Sequence, residues 1–571
     1  MTRSARIVRI MHPVMFSFFS ILLAVLCVVS PSRAAVADRG MVATVHPLPT
    51  RAGVDAMRRG GNAIDAAVAA ALTLGVVDGH NSGIGGGCFL LIRLADGRFI
   101  AIDGRETAPR AATHDMYLRD GKADTSLSQT GALASATPGA LAAYDHAVRN
   151  FGKRPLAEHL RAAAEVAENG FAIDSKYAAK LVGAAENLAR FPASRAAFLK
   201  PDGSPLHEGE ILKQPDLARS YRAIASEGIH WFYEGPFAKN TAVWMKENGG
   251  ILNEQDFRDY RIELRDPVFT TYRDHRIASF PPPSSGGVHV AQLLNMIETR
   301  EVKAMGAGSA DFIHFTAEAM KLAFADRAFW LGDPAFAKVP RGLVGKEYAT
   351  ALAAKIRMDR ASVVSGHGTP ERAFDEIFGK HTTHFSAVDA EGNWVACTAT
   401  INTGFGSKVV VPGTGIVLNN EMDDFSAQPG VANHFGLIGA EANAVAPGKR
   451  PLSSMSPTIV LKGDVPVLAV GAAGGPTIIS QTLLAIVNVL DFGMDLPTAI
   501  GAARFHHQWS PDELKIEQAV GAPVLAELKS RGQKISAGGP FGACNGVGRA
   551  ADGKGFVGAS DPRVPGLAEG W

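Results

Sequence analysis

The chain has 571 residues, of which 46% are hydrophobic and 20% are charged, so its composition supports a large packed core and excludes wholesale disorder. Its 57 basic residues nearly balance its 56 acidic residues, and a net charge of +1 gives no electrostatic footprint for binding nucleic acid. Four cysteines in this length exclude a disulfide-dense scaffold. The 61 glycines indicate many tight turns and close approaches of the backbone.

The first 37 residues have the pattern of a secretory signal peptide. Three arginines precede an uncharged apolar run at 14–29, and small residues near Ala34 and Ala37 offer two cleavage positions. A membrane anchor is the alternative, but this run is short for a bilayer span of roughly 20 residues. We therefore expect a periplasmic or secreted protein with a signal segment over residues 1–37. The three cysteines beyond that segment can form at most one disulfide.

The first part of the predicted body alternates strands with helices. Gly60 and Gly61 form a typical helix stop, and Asn62 is placed to cap the helix that follows. The predicted elements are a strand at 40–45, a helix at 51–59, a helix at 64–72 and a hairpin with strands at 89–94 and 99–103. A glycine-rich loop at 82–87 leads into this hairpin.

The second part changes from helices to strands. Residues 138–260 are mostly helical by pattern, and further helices are predicted near 288–297 and 309–331. A polar stretch at 360–381 lacks any apolar period. The elements predicted after it are strands at 385–388, 394–402, 458–461 and 467–470 and a helix at 478–489. Sheets between helices indicate a layered α+β body.

Several common catalytic motifs are absent from the sequence. It contains no G-x-x-x-x-G-K-[ST] phosphate loop, no H-E-x-x-H zinc motif and no G-x-S-x-G nucleophile elbow. Cys88 stands where a dinucleotide-binding loop would have its third glycine. The close histidine pairs, at 381/384 and 506/507, have no cysteine or carboxylate at metal-ligand spacing. The sequence therefore favours neither a nucleotide cofactor nor a metal.

The stretch Thr382-Thr383-His384 carries the catalytic hypothesis. A threonine hydroxyl is a poor nucleophile that becomes useful beside a base, and the residue's own α-amine is such a base. A free α-amine has a pKa of about 7.7–8.0 in model compounds, so it accepts a proton near neutrality. Thr382 has a free amine only if the chain is cut after His381. Taken alone, the pair also fits an ordinary strand, because threonine favours strands.

Further segments, in order along the chain, make this interpretation specific. They are residues 60–67, 83–87, 103–106, 281–287, 382–386, 418–425, 450–458, 474–475 and 560–563. Through them the chain, from about residue 42 to residue 563, resembles the γ-glutamyltransferase (γ-glutamyltranspeptidase) family of self-cleaving N-terminal nucleophile enzymes. The resemblance implies an α+β fold, the four-layer αββα sandwich of N-terminal nucleophile hydrolases. It also implies autocatalytic cleavage between His381 and Thr382. The products would be a large subunit, 38–381, and a small subunit, 382–571, that remain one folded heterodimer.

The resemblance also implies a role for each matching residue. Thr382 corresponds to the nucleophile, and Thr400 to the threonine whose hydroxyl orients it. Gly474 and Gly475 correspond to the glycines whose backbone N–H groups form the oxyanion hole. The expected substrate-binding residues are Arg105, Ser453 and Ser454 for the α-carboxylate and Asn402, Glu421 and Asp424 for the α-ammonium. Each of these residues alone also fits a structural role in a strand or turn.

The implied reaction is acyl transfer through a γ-glutamyl ester on Thr382. Glutathione is the expected donor, water or an amino acid or dipeptide is the acceptor, and no cofactor or metal is needed. Two alternatives stay open: a glutaryl or cephalosporin acylase of the same fold, and a secreted binding protein that has lost catalysis. The intact threonines and glycines of the site argue against the second. Phe435, in a predicted lid at 429–436, departs from the tyrosine that is frequent in the family.

Overall fold

The computed structural model describes residues 34–371 and 384–571. The predicted signal segment, apart from residues 34–37, lies outside the described residues, and so do His381 and Thr382 of the predicted cleavage bond. Within the described residues, no helix is both long enough and apolar enough to cross a membrane.

Helical and strand-rich stretches both occur in the described chain. The strands are β1 (Ala35–Ala37), β2 (Gly40–Thr44), β3 (Gly87–Arg93), β4 (Phe99–Gly104), β5 (Leu118–Arg119), β6 (Lys122–Ala123), β7 (Phe171–Ala172), β8 (Ile211–Leu212), β9 (Glu263–Arg265), β10 (Val268–Tyr272), β11 (His275–Ser279), β12 (His384–Asp389), β13 (Trp394–Thr400), β14 (Thr458–Lys462), β15 (Val465–Ala473), β16 (Phe505–His507), β17 (Leu514–Glu517), β18 (Ile535–Gly538), β19 (Ala543–Arg549), β20 (Phe556–Ser560) and β21 (Leu567–Gly570). The α-helices are α1 (Pro47–Arg58), α2 (Ala63–Val77), α3 (Ser126–Gln129), α4 (Ala140–Phe151), α5 (Leu156–Asn169), α6 (Ser175–Ala189), α7 (Pro192–Phe198), α8 (Pro215–Glu227), α9 (His230–Tyr233), α10 (Pro236–Glu247), α11 (Glu254–Asp259), α12 (Ser285–Ile297), α13 (Val302–Met305), α14 (Ala310–Trp330), α15 (Lys346–Ala353), α16 (Thr477–Leu490), α17 (Leu496–Gly501) and α18 (Ala522–Ser530).

Two antiparallel sheets of seven strands form the centre of the molecule. The first has the order β21-β2-β12-β13-β3-β4-β9, and the second has the order β1-β20-β19-β15-β14-β11-β10. Their facing surfaces bury a shared apolar cluster that includes Phe89, Phe280 and Trp394. The rings of Phe89 and Phe280 stack with centroids 4.3 Å apart. The two sheets are thus packed face to face through side chains of alternating strand positions.

Helices cover the outer face of each sheet. The helix α2 is apolar on every side and all its residues are buried, since it lies between the first sheet and the helices α1 and α5. Asn62 caps α2 as predicted: its side chain accepts from the backbone of Ile64 and Asp65, and Asp65 accepts from the N–H of Asn62. The helices α12, α14 and α16 pack around the core of the second sheet. The order of layers is helices, sheet, sheet, helices, which confirms the predicted αββα sandwich.

Candidate active site

The site forms where β13 ends in the first sheet. Thr400 is the last residue of β13, pairs with Gly87 of β3 and is buried. Its hydroxyl accepts a hydrogen bond from the N–H of Asn402 over 2.7 Å. Asn402 has a φ of +74°, a left-handed conformation that asparagine tolerates, and this turn ends the strand. The predicted strand at 394–402 therefore extends too far, because the observed strand stops at Thr400.

Arg105 lies in a fully buried cluster with three carboxylates. It follows β4, whereas Glu421 and Asp424 lie on the 3₁₀ turn Glu421–Asp424. One guanidinium nitrogen is 2.6 Å from a Glu421 oxygen, and another is 2.7 Å from an Asp424 oxygen. Glu106 contributes the third carboxylate, 3.3 Å from Arg105. The structure thus brings three of the six predicted substrate-binding residues together, with Arg105 as the ion partner of both Glu421 and Asp424.

The charges of this cluster are strongly perturbed. Burial raises the pKa of Glu106 to about 7, although the guanidinium of Arg105 favours its ionised form. Burial also holds the pKa of Glu421 well above its ordinary value, against the opposing effects of Arg105 and the Thr400 hydroxyl. Nearby carboxylates add to both shifts, because like charges disfavour ionisation. The cluster therefore combines the guanidinium of Arg105 with three closely spaced carboxyl groups.

Ser453 and Ser454 lie in a buried loop before β14. The Ser285 N–H donates to the Ser453 carbonyl over 2.8 Å, and the Ser453 N–H donates to the Pro283 carbonyl over 3.1 Å. These bonds fix the loop to the 281–287 segment, where a Cβ on Gly286 would overlap the backbone of residue 455. The loop is therefore held in place by the 281–287 segment.

A buried charged residue that the sequence analysis did not single out, Arg327, lies behind the same loop. It is buried on α14, and one of its nitrogens is 3.4 Å from the Ser454 hydroxyl. No short motif surrounds it. The sequence offers no other signal, because Arg327 is one charged residue within a long helix; its burial is seen only in the structure.

Gly474 and Gly475 connect β15 to α16. Their φ angles are +132° and +59°, conformations that favour glycine. Within the described residues, neither backbone N–H donates a hydrogen bond to another residue. The pair precedes the N-terminus of a helix of 14 residues, which favours negative charge. A Cβ on Gly475 would lie 2.7 Å from the ring of Phe435, so the predicted lid residue packs directly over the pair.

His384, the first residue of β12, is enclosed between the two sheets. Its Nδ1 is 3.2 Å from the Thr398 hydroxyl, and its Nε2 is 2.8 Å from the Ser386 hydroxyl. Burial lowers the pKa of His384 to about 3, so the ring is neutral at physiological pH. The hydroxyls of Thr398 and Ser386 hold this ring in place, and they therefore fix the start of β12. The predicted nucleophile, Thr382, lies outside the described residues, as does His381.

The remaining candidate ligand groups are scattered in the structure. In residues 34–371 and 384–571, no group of three or more His, Cys, Asp or Glu side chains is arranged to hold a metal ion. Cys88, Cys397 and Cys544 are buried thiols without a disulfide. Burial lowers the pKa of both His506 and His507 to about 3.

Comparison with known proteins assigns the chain first to a class and then to a family. The structure of cephalosporin acylase from Bacillus halodurans matches with a TM-score of 0.84 and 27% identity, over 98% of this chain and 99% of that one. The fold is therefore that of the N-terminal nucleophile hydrolases. The profile of the gamma-glutamyltranspeptidase family matches residues 49–571, and the chain belongs to this family.

Two curated relatives carry different names. The chain is 44% identical over 530 residues to the glutathione hydrolase proenzyme of Escherichia coli (strain K12), covering 92% of this chain and 91% of that protein. It is 42% identical over 511 residues to the acylase ACY 1 proenzyme of Pseudomonas sp. (strain V22), covering 88% of each. The chain is thus an enzyme of a family that includes both kinds of protein.

Proposed function

We propose that the chain transfers the γ-glutamyl group of glutathione, or of a related γ-glutamyl compound, to water or to an amino acid or peptide. The observation that carries this proposal is the buried cluster of Arg105, Glu421 and Asp424 near Thr400. A γ-glutamyl donor has both a carboxylate and an ammonium on its α-carbon. The cluster offers each of them a partner of opposite charge, and the guanidinium fork fits a carboxylate with two hydrogen bonds.

Donor binding is an exchange of ion partners in this proposal. The α-carboxylate pairs with Arg105 and accepts hydrogen bonds from the hydroxyls of Ser453 and Ser454. The α-ammonium pairs with Glu421 and Asp424. Breaking a buried ion pair by removing one partner costs about 3–5 kcal/mol. A zwitterionic donor avoids that cost, because each separated charge receives a new partner.

Thr382 supplies the nucleophile after the chain has cut itself behind His381. Two residues of chain span at most about 7 Å, so the Cα of Thr382 is tethered near that of His384. His384 pairs with Thr398, and Thr400 ends that neighbouring strand. The α-amine of Thr382 accepts the hydroxyl proton as the hydroxyl attacks the γ-carbonyl carbon.

The negative charge that develops on the γ-carbonyl oxygen meets the N–H groups of Gly474 and Gly475. Their left-handed backbone presents two donors that no described residue uses. Such a donor is worth about 3–4 kcal/mol in the transition state. Collapse of the intermediate expels the rest of the donor and leaves a γ-glutamyl ester on Thr382. Water or an amine then attacks that ester, which forms glutamate or a new γ-glutamyl compound and restores the hydroxyl of Thr382.

The proposal also includes cleavage of the chain into two subunits and its export by a signal peptide. Self-cleavage gives a large subunit, 38–381 in the sequence analysis, and a small one, 382–571. Of the two signal cleavage positions, we favour the one after Ala34, because β1 pairs with β20 in the second sheet and cleavage after Ala37 would remove β1. N-terminal sequencing of the exported large subunit tests this choice. A chain that begins at residue 38 would contradict it.

The acylase relatives make a glutaryl donor the second candidate, and a direct comparison separates the two. A glutaryl donor presents a carboxylate but no ammonium, so it leaves the carboxylates of the cluster facing methylene hydrogens. We expect kcat/KM for γ-glutamyl anilide to exceed that for glutaryl anilide by roughly two orders of magnitude, since 1.36 kcal/mol is tenfold. Glutamate release from glutathione should accompany this preference. Comparable values for the two anilides would identify an acylase.

A further inference from the structure

Arg327 is a buried cation whose hydrogen bonds to other described residues all go to neutral groups. Its Nε donates to the Ser285 hydroxyl over 3.0 Å. Its Nη2 donates to the Ser454 hydroxyl over 3.4 Å and to the Ser453 carbonyl over 3.5 Å. Burial lowers the pKa of Arg327 to about 10, so the guanidinium is still charged at neutral pH.

No described carboxylate neutralises this charge directly. Asp424 is the carboxylate that favours the charged form of Arg327, but its own oxygen is 2.7 Å from Arg105. Among the described residues, the ion pairs of the site go to Arg105 and none to Arg327. A buried charge without a counter-ion is unfavourable. In the described part of the chain, the positive charge behind the loop of Ser453 and Ser454 therefore has no carboxylate paired directly with it.

We infer that Arg327 is a positioning residue that makes the enzyme select donors bearing a carboxylate, by holding the Ser453–Ser454 loop and supplying the positive charge behind it. This inference rests on the proposed function only for the place of the donor carboxylate. It applies to a γ-glutamyl and to a glutaryl donor alike, because both carry that group. The alternative is that Arg327 merely joins two loops.

Three anilide donors separate these roles. The γ-glutamyl donor has a carboxylate and an ammonium, the glutaryl donor has the carboxylate alone, and the 4-aminobutanoyl donor has the ammonium alone. Arg327→Met should lower kcat/KM for both carboxylate donors about ten- to hundredfold, mainly through KM, as expected for loss of a charged partner. The 4-aminobutanoyl donor should be unaffected within about threefold. Arg327→Lys should restore part of the loss.

Lys321 provides a matched control on the same helix. It is buried and pairs with Glu318 over 2.8 Å and with Asp512 over 3.3 Å. Lys321→Met removes a buried cation away from the site, so it should change all three donors by the same factor. An equal loss for all three donors in Arg327→Met, or no loss, would overturn the inference.

A binding measurement on Arg327→Lys covers the case in which Arg327→Met folds poorly. It also covers donors that turn over slowly. Titration calorimetry with glutarate should show binding to the unmodified protein, weaker binding to Arg327→Lys and unchanged binding to Lys321→Met. Equal glutarate affinity for the unmodified protein and the Lys variant would count against a role in carboxylate selection. If the unmodified enzyme prefers the glutaryl donor, the proposed function is wrong while the Arg327 comparison still decides the inference.

Discussion

Glu106 shows what burial does to a single charge in this protein. Its carboxylate lies against the backbone of Gly87, next to Arg105, and is fully buried. Because burial raises its pKa from 4.5 to about 7, the folded protein retains a proton that the unfolded chain releases. The free energy of unfolding therefore depends on pH through Glu106, and the isosteric substitution Glu106→Gln can measure this contribution.

Glu106→Gln should remove this dependence. Below about pH 4.5 both states of the unmodified protein are protonated at this position, so no stability is lost. Between pH 4.5 and 7 the unfolded chain ionises first, and the free energy of unfolding falls by about 3 kcal/mol before levelling off. Urea unfolding across this range should therefore show the variant gaining about that much relative to the unmodified protein. Parallel curves for the two proteins would mean that Glu106 is ionised when folded.

Asp424→Asn tests the ammonium partner without changing the shape of the side chain. Asp424 is 2.7 Å from Arg105, and in the proposed function it is one of the two carboxylates that bind the α-ammonium. We expect the preference for γ-glutamyl over glutaryl anilide to shrink from about a hundredfold to less than about tenfold, because a neutral amide holds an ammonium more weakly. Arg105→Lys should instead slow both donors. An unchanged preference in Asp424→Asn would place the ammonium elsewhere.

At the residue scale the sequence does not show how the predicted site residues meet. Arg105 and Asp424 are 319 positions apart, and their ion pair depends on the folding of two distant segments onto each other. Glu106 and Arg327 were not assigned roles. A charged residue after a strand or inside a helix has no signature of burial until the surrounding layers are known.

Among the elements, the lid is a short hairpin-like loop tied to the site. Ala432 pairs with Ile438, and the His434 N–H donates to the Asp423 carboxylate over 3.0 Å. The Phe435 carbonyl accepts a hydrogen bond from Gln508 over 3.2 Å. The lid is therefore fixed at both sides through its backbone. The Phe435 ring packs against Gly475.

Phe435→Tyr should raise transfer relative to hydrolysis. A tyrosine hydroxyl adds a hydrogen-bonding group that phenylalanine lacks, which should tighten the lid and make water a weaker competitor for the ester. The measurement is the ratio of γ-glutamyl-glycylglycine to glutamate at fixed acceptor. Phe435→Leu is the control, and it should lower that ratio. Equal ratios in all three proteins would show that the lid does not govern water access.

Elements with local signals were predicted, and elements defined by distant partners were not. The capped helix α2 and the hairpin of β3 and β4 have caps, turns and apolar patterns within a few residues. By contrast, β19 contains Gly546 and Gly548, which weaken any strand pattern. A Cβ on Gly546 would lie 3.0 Å from the carbonyl of Ala469 on β15, so the close packing of neighbouring strands explains this glycine.

For the whole molecule, the decisive feature is how the chain on either side of residue 382 is interleaved. In the first sheet, β12 and β13 lie between β2 and β3, and β21 pairs with β2. In the second, β1 and β11 flank a block of four strands from the second part of the chain. The sequence did not predict this order of strands, because composition and periodicity do not say which strand pairs with which.

The interleaved sheets predict the behaviour of the mature enzyme. Cleavage before Thr382 should give two bands under denaturing conditions, the smaller beginning at Thr382, but one species in gel filtration. Separating them would break five strand pairings: β1–β20, β2–β12, β2–β21, β3–β13 and β11–β14. Thr382→Ala should remain a single uncut chain without activity. Separate elution of the two bands, or cleavage of Thr382→Ala at the same bond, would contradict this account.

Thermal unfolding of the two proteins gives an independent measure of the same topology. The cut enzyme should unfold directly into two separate chains, so its Tm should rise with protein concentration, by about 3 °C for a hundredfold increase. Uncut Thr382→Ala should unfold to one chain, so its Tm should not depend on concentration. The comparison uses proteins that differ at one residue and in one peptide bond. A concentration-independent Tm for the cut enzyme would mean that its two chains stay associated after they lose their folded structure.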